Sequence, residues 1–264
     1  MKKFIVIGNP IDHSLSPKLH NYWLKNCGIT ANYDKTEIDK NSLKDFIIKI
    51  KNDEIQGANI TVPLKNDIIK YIDDLSDEAK KTQSVNTIFK KGNRIVGHNT
   101  DIAGFELAIR HVKYDLEGKK VLILGAGGVV PSIIYALQKF KVNKIILSNR
   151  TMSKAEEIKK RFNNIFIKEW GSEIEFDLII NATSLGLKQN DQIKIDFDKI
   201  GKNKFFFDVI YNPRETNFLK MAKNNNHKAE NGLMMFIYQA HQAFTIWHKI
   251  MPKVDEETIK LLDE

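Results

Sequence analysis

The sequence predicts an α/β protein of two domains, the second a Rossmann-like, doubly wound parallel sheet of the kind that binds dinucleotides. Three observations carry this. Short apolar runs alternate with helix-patterned segments along most of the 264 residues, and strands separated by helices favour parallel sheets with right-handed crossovers. VLILGAGGVVPSIIYAL puts a glycine-rich turn between a strand and a helix, the setting a phosphate-binding turn requires. Hydrophobic residues at 42% and charged residues at 28% give a globular composition in a chain long enough for a sizeable core.

FIVIG (4–8) reads as the first strand. MKKFIVIGNP opens like a signal peptide, but its apolar run stops after about four residues, short of an h-region. A helix follows from Pro17 to about Cys27, with Ser16 as N-cap and proline at the first helical position. ANYDKTEI is a second strand, and NSLKDFIIKIK has helical spacing after a cap at Asn41 or Ser42. GANITV (57–62) is a third strand, and TIFKKGNRIVGHN a hairpin turning at Gly92-Asn93. A helix comes after Gly104, then the strand KKVLILGAGG; KIILSNR, FDLIINAT and KFFFDVIY are three further strands. A long amphipathic helix from Gly232 to Ile250 closes the chain. There is no internal repeat or low-complexity linker. The division expected is a first domain over 1–101, a nucleotide domain over 102–231, and C-terminal helices over 232–264 that pack back on the first.

The net charge is +8, but only five of the 41 basic residues are arginine and the lysines are scattered among Glu and Asp. No basic block is interleaved with aromatics. This is a solvated, lysine-rich surface that attracts small acidic molecules, not a nucleic-acid binder. No apolar stretch approaches the roughly 18 residues that span a membrane. Cys27 is the only cysteine, and no CxxC or His-x-x-x-His spacing points to a metal. A cytoplasmic, metal-free protein is expected.

In the glycine turn, Gly125 and Gly127 allow a tight turn and close approach of a pyrophosphate. Gly128 adds backbone freedom, and Ala126 and Val129 complete the turn ahead of the helix N-terminus. Val130 stands where the fingerprint has its third glycine or alanine, and Pro131 removes a donor in the first turn, where proline is tolerated. The next strand chooses the dinucleotide. An NAD site ends it in Asp or Glu for the ribose 2′-hydroxyl. Here it ends Asn149-Arg150-Thr151, with Ser153 and Lys154 just beyond. A carboxylate would repel a 2′-phosphate, whereas the Arg150 guanidinium can meet it as a fork. The cofactor expected is NADP.

GANITVPLK brings Thr61 and Lys65 to the end of the third strand; SVNTI carries Asn86 and GHNTD carries Asp101. Oxidation of an alcohol needs a positioned base for the hydroxyl proton as hydride leaves the carbon. A desolvated lysine can serve, and as an ammonium it can stabilise developing alkoxide charge. Asp101 favours the charged lysine, so the two act as a coupled pair. Read singly, each of these residues is also an ordinary loop or turn residue.

GNPIDHSLSPKLHN, GANITVPLK, SVNTI, HNTDIAGF, GAGG, NRT, NATSLGL, DVIYNPRET and NGLMMFIYQAHQAF, in this order and spacing, make the chain resemble the shikimate dehydrogenase family almost end to end. The resemblance implies a substrate-binding and catalytic domain followed by the NADP domain, with the active site in the cleft between them. It implies reversible NADPH-dependent reduction of 3-dehydroshikimate to shikimate, on the route to chorismate and the aromatic amino acids. Carried over, Ser14 and Ser16 hold the substrate carboxylate, and Thr61, Asn86, Tyr211 and Gln239 position the ring. Lys65 is the acid/base, paired with Asp101. Gly125 to Val129 and Asn149 to Lys154 bind NADP, Val209 and Gly232 lie near the nicotinamide, and Asp77 falls where some relatives touch the cofactor. The implied partner is a small-molecule substrate, and the implied assembly a monomer or homodimer.

The chain departs from the family at Ile102, where glycine is usual after the aspartate, at Gln83-Ser84 in place of Gly-Ala, and at Val129-Val130-Pro131. These leave the reacting groups intact and bear on the geometry beside Asp101 and on cofactor affinity. A helix N-terminus attracts carboxylates, so Ser14 and Ser16 are expected to donate to the substrate, with capping secondary. His13 and His20 read as helix-entry and surface residues. The alternatives are a quinate/shikimate dehydrogenase with broader substrate or NAD use, a methylene-folate dehydrogenase, which the serine pair with Lys65, Asn86 and Asp101 argues against, and a non-catalytic ligand sensor.

Overall fold

In the computed structural model, which describes residues 1–263, the apolar run after Lys2 forms β1 (Lys2–Gly8), buried from Phe4 onward. Such a continuous buried run suits a strand covered on both faces. The chain divides into two units, Met1–Gly104 with Ile237–Glu264, and Phe105–Phe236. Both divisions fall inside helices, a few residues beyond the 101/102 and 231/232 divisions read from the sequence.

The first unit continues through α1 (Ser16–Asn26), β2 (Ala31–Glu37), α2 (Leu43–Lys51), β3 (Gly57–Ile60), a short 3-10 turn (Asp67–Tyr71), β4 (Asp74–Leu75), α3 (Asp77–Thr82), β5 (Thr87–Lys91), β6 (Arg94–His98) and α4 (Asp101–His111). Its six strands lie in the order β2-β1-β3-β5-β6-β4. β1 runs parallel to β2 and β3, while β5 runs antiparallel to β3 and β6. The sheet is therefore mixed, not parallel throughout, because the tight Gly92-Asn93 turn returns the chain beside itself. Ile5, Ile7, Phe46, Ile47, Ile50, Ile60, Leu64 and Ile88 fill the core between this sheet and α2.

Several local expectations change. Ser16 is the first residue of α1 rather than its cap; Leu15 holds the cap position without a side-chain bond, and Ser14 Oγ accepts the Ser16 N–H at 3.3 Å. Ser42 stands at the cap of α2, but the Ser42 N–H goes to Asp39 Oδ1 at 2.9 Å. α4 begins at Asp101, before Gly104, because Asn99 Oδ1 accepts the Asp101 and Ile102 N–H groups and so starts the helix early.

The second unit holds β7 (Lys120–Leu124), α5 (Val130–Lys139), β8 (Lys144–Ser148), α6 (Met152–Lys159), β9 (Ile165–Lys168), β10 (Leu178–Asn181), β11 (Phe205–Asp208), α7 (Asn217–Asn224) and β12 (Lys228–Glu230). Six parallel strands lie in the order β12-β11-β10-β7-β8-β9, a doubly wound sheet whose order reverses between β7 and β10. Ligands of such sheets bind outside the carboxyl ends of the strands at that reversal. β9 and β12, short and partly exposed, escape the sequence reading because they lack a strong apolar run. The last long helix, α8, covers Leu233–His248, and a further helix, α9 (Glu256–Leu261), follows it. Among the described residues no helix is long and apolar enough to cross a membrane.

Candidate functional site

Lys65 follows β3 and Asp101 opens α4. Lys65 Nζ meets Asp101 Oδ2 at 2.6 Å, with the two side chains only 10% and 7% exposed. Asp101 sits in the first turn of α4, where unpaired N–H groups favour a carboxylate. Asn86 Nδ2 donates to its other oxygen at 2.9 Å and to Thr100 Oγ1 at 2.9 Å, so both amide protons of Asn86 are engaged. Asn86 Oδ1 in turn accepts the Thr100 N–H at 2.7 Å.

This pair ends a buried polar chain that the sequence reading missed. Tyr33 Oη donates to Asn59 Oδ1 at 2.6 Å, and Asn59 Nδ2 donates to Thr87 Oγ1 and to the Asn86 carbonyl. Thr87 Oγ1 donates to Asn86 Oδ1 at 3.1 Å. At its far end the Tyr33 hydroxyl bonds to Ser16; burial pushes this phenol well above its ordinary range. The chain thus runs from Ser16 to the Lys65–Asp101 pair at the carboxyl ends of β1 and β3. Thr61 sits there too, its N–H on the Ile7 carbonyl and its methyl where a Cβ on Gly8 would stand, 2.4 Å away. Asn59 is legible only as a polar residue inside the wholly buried strand β3; Tyr33 gives no sequence signal beyond its aromatic character.

Ser14 is half-buried and Ser16 buried, while Gln239 is half-buried on α8. His20 is not a surface residue. It is 1% exposed, stacked on Tyr33 with ring centroids 4.1 Å apart, and flanked by Trp23, Phe244 and Trp247. Neither ring nitrogen has a hydrogen-bond partner, and burial, with a smaller contribution from His248, lowers it to about 3. Asp77 stands exposed in the first turn of α3, in the first unit and not the unit that holds the glycine turn.

In the second unit Gly125 follows β7 at φ +110°, and a Cβ there would lie 2.7 Å from the Ala182 carbonyl. Gly127 differs: a Cβ would meet only the Ala182 oxygen at 3.9 Å, and the residue is exposed. Packing does not require glycine at 127, so the open space beside it is a cradle for an outside group. Ala126, Gly128 and Val129 are half-buried around it. Val129 precedes α5 without a capping side chain, with Pro131 in the first turn; Val130 is fully buried. Past β8, Asn149 Nδ2 donates to the Thr151 carbonyl at 2.7 Å. Thr151 stands at the cap of α6 without using its side chain. Arg150, Thr151, Ser153 and Lys154 are exposed, and among the described residues no carboxylate pairs with Arg150 or Lys154. Two free cations with no acid at the end of β8, beside an open glycine, fit a dinucleotide with a 2′-phosphate.

Tyr211 stacks on Phe236 at 4.4 Å, and burial pushes its phenol up to about 12. Gly232 is held against the backbone of β11's end: its N–H bonds to the Ile210 carbonyl, and a Cβ would lie 2.2 Å from the Val209 oxygen.

Residues 6–88 match the model of the shikimate dehydrogenase substrate binding domain, and residues 106–228 that of the shikimate / quinate 5-dehydrogenase domain. The shikimate dehydrogenase (NADP(+)) of Pelagibacter ubique is 59% identical over 262 residues, covering 99% of each chain. The crystal structure of shikimate dehydrogenase from Aquifex aeolicus superposes with a TM-score of 0.92 at 34% identity, covering 100% of this chain and 98% of that one. That of the Thermus thermophilus enzyme in complex with NADP(H) and shikimate gives 0.89 at 28% identity, covering 100% and 98%. The paired lysine and aspartate, the open glycine turn and these matches together place the chain in the shikimate dehydrogenase family.

Proposed function

We propose that this chain catalyses the reversible reduction of 3-dehydroshikimate to shikimate with NADPH, in aromatic amino-acid biosynthesis. The observation that carries the reading is the buried Lys65–Asp101 pair at 2.6 Å, with Asn86 fixing the second carboxylate oxygen. The first unit takes the substrate and the second the cofactor.

Ser14 and Ser16 donate to the substrate carboxylate. Ser14 Oγ already accepts the Ser16 N–H, which leaves its proton free to donate. Thr61, Asn86, Tyr211 and Gln239 orient the ring, and Asn86 does so mainly by holding Asp101. When bound, NADPH supplies the hydride. Gly125 to Val129 receive its pyrophosphate, Arg150 with Asn149, Thr151, Ser153 and Lys154 the adenosine 2′-phosphate, and Val209 and Gly232 border the nicotinamide. Lys65 Nζ gives a proton to the carbonyl oxygen as negative charge grows there, and takes it back in the reverse direction. Asp101 holds the ammonium in place through one oxygen while Asn86 fixes the other. Asp77, exposed in the first turn of α3, is the remaining residue offered to the cofactor. The protein acts in the cytoplasm as a monomer or homodimer.

The test is product identification. Incubation with 3-dehydroshikimate and NADPH should yield shikimate, and Lys65→Met should abolish it while NADPH binding persists. A wild-type chain that binds NADPH and makes no shikimate would overturn the reading.

A further inference from the structure

Asp208, at the carboxyl end of β11, is fully buried, and among the described residues no cation pairs with it. Its partners are neutral donors: Asn181 Nδ2 and the Ile210 N–H on one oxygen, each at 3.0 Å, and Thr216 Oγ1 on the other at 2.7 Å. They come from three pieces of chain, the end of β10, the loop after β11, and the residue that caps α7. Burial pushes the acid up to about 6, against the pull of these three bonds. A charge kept in such a place works against the fold.

The same cluster reaches both loops at the reversal of the sheet. Asn181 Oδ1 takes the Thr183 N–H and hydroxyl, and its Nδ2 also donates to the Leu185 carbonyl. Gly186 packs so closely on Thr216 that a Cβ would stand 2.9 Å from its methyl. The Ala182 carbonyl abuts Gly125 of the glycine turn, and the Val209 carbonyl abuts Gly232.

We propose that Asp208 is a positioning residue for the nicotinamide half of the cofactor, fixing residues 209–211 and, through Asn181, residues 182–185 at the mouth of the site. This rests on the cofactor reading given under Proposed function. Asp208 touches neither ligand; it acts through the loops it ties.

The test is Asp208→Asn in the full chain. The amide keeps the shape and one oxygen for Asn181 and Ile210, but it turns an N–H toward Thr216, whose oxygen already accepts the Leu219 N–H. Charge-assisted bonds become neutral ones, so the dissociation constant for NADPH should rise roughly tenfold. That for 2′,5′-ADP, the adenosine half alone, should stay within twofold, and the melting temperature at neutral pH should not fall, because a buried charge has been removed. Equal weakening of both ligands, a melting temperature that drops, or NADPH binding within twofold of wild type would each overturn the proposal. Thr216→Val keeps the charge and removes one donor, and should show the same split at about threefold; identical constants would overturn it. Failure of the wild-type chain to bind either ligand would overturn the cofactor reading itself, before any substitution is made.

Discussion

Lys65 and Asp101 form a coupled unit, and a double-mutant cycle exposes it. Lys65→Met leaves a carboxylate 7% exposed without its cation, though Asn86 Nδ2 and the N-terminus of α4 still support it. Asp101→Asn leaves a buried ammonium facing an amide that must present an N–H to one of two donors, Lys65 or Asn86. Breaking a buried pair typically costs about 3–5 kcal/mol. Lys65→Met should fall near the low end, about 3 kcal/mol, because its orphan is supported by the helix dipole. Asp101→Asn should cost more. At about 2–4 °C per kcal/mol for a chain of this size, the single variants should melt about 6–20 °C lower. The double variant, with no orphan charge, should recover much of the loss, a coupling of at least about 2 kcal/mol. Turnover should be lower by about two orders of magnitude in all three, because the proton donor is lost or unheld in each. Differential scanning calorimetry and initial rates on the four proteins read both quantities. Additive losses of stability, with coupling below about 0.5 kcal/mol, or near-normal turnover of Lys65→Met, would refute the reasoning.

Other consequences are independent of that pair. Ser14→Ala should raise the Michaelis constant for shikimate roughly tenfold with that for NADP+ unchanged, since a hydrogen bond to a charged group is worth about 1.5–3 kcal/mol; a rise below about threefold removes Ser14 from the carboxylate site. Gly127→Ala meets nothing closer than 3.9 Å, so thermal unfolding should be unchanged while the NADPH dissociation constant rises; unaltered binding would mean that the cradle is not used. Arg150→Ala should lower kcat/KM for NADPH about tenfold or more and leave that for NADH nearly unchanged, and equal losses with both would count against a 2′-phosphate contact. His20 is lowered to about 3 when folded against 6.5 when unfolded, so the unfolded chain takes the proton first. Stability is therefore full above pH 6.5 and lost as pH falls toward 3, by about 1.4 kcal/mol per unit. His20→Phe should flatten the acid limb of a urea-denaturation series; an unchanged slope would mean that another group, such as His248, controls it.

What the sequence discloses and what it hides divide along physical lines. The second unit is legible because the continuous apolar runs VLIL, IILS and FFFD suit only buried parallel strands, and a glycine turn after the first of them has few other uses. β9 and β12 are hidden because an edge strand needs fewer apolar residues than a central one. Lys65, Asn86 and Asp101 are visible as residues, but their meeting is not, since it depends on how β3, β5 and α4 converge. His20 is misjudged because histidine is usually exposed, and only the stacking of α1 and α8 around Tyr33 shows why a neutral ring is buried. Ser14 and Ser16 are both seen, but Ser16 is the first helical residue and not the cap, which falls to Leu15. Asp208 escapes notice because it falls inside the apolar run KFFFDVIY, and a buried carboxylate without a cation is rare.

The most direct measurement is turnover of the purified chain at neutral pH, with shikimate and quinate each offered NADP+ and NAD+ and the reduced nicotinamide followed by absorbance. The account predicts ready oxidation of shikimate with NADP+ and at least tenfold lower kcat/KM with NAD+, as the free Arg150 requires. Comparable rates with NAD+ or with quinate would contradict the specificity assigned to the Asn149–Lys154 loop and the substrate. No turnover of shikimate under any combination would contradict the role given to Lys65 and Asp101.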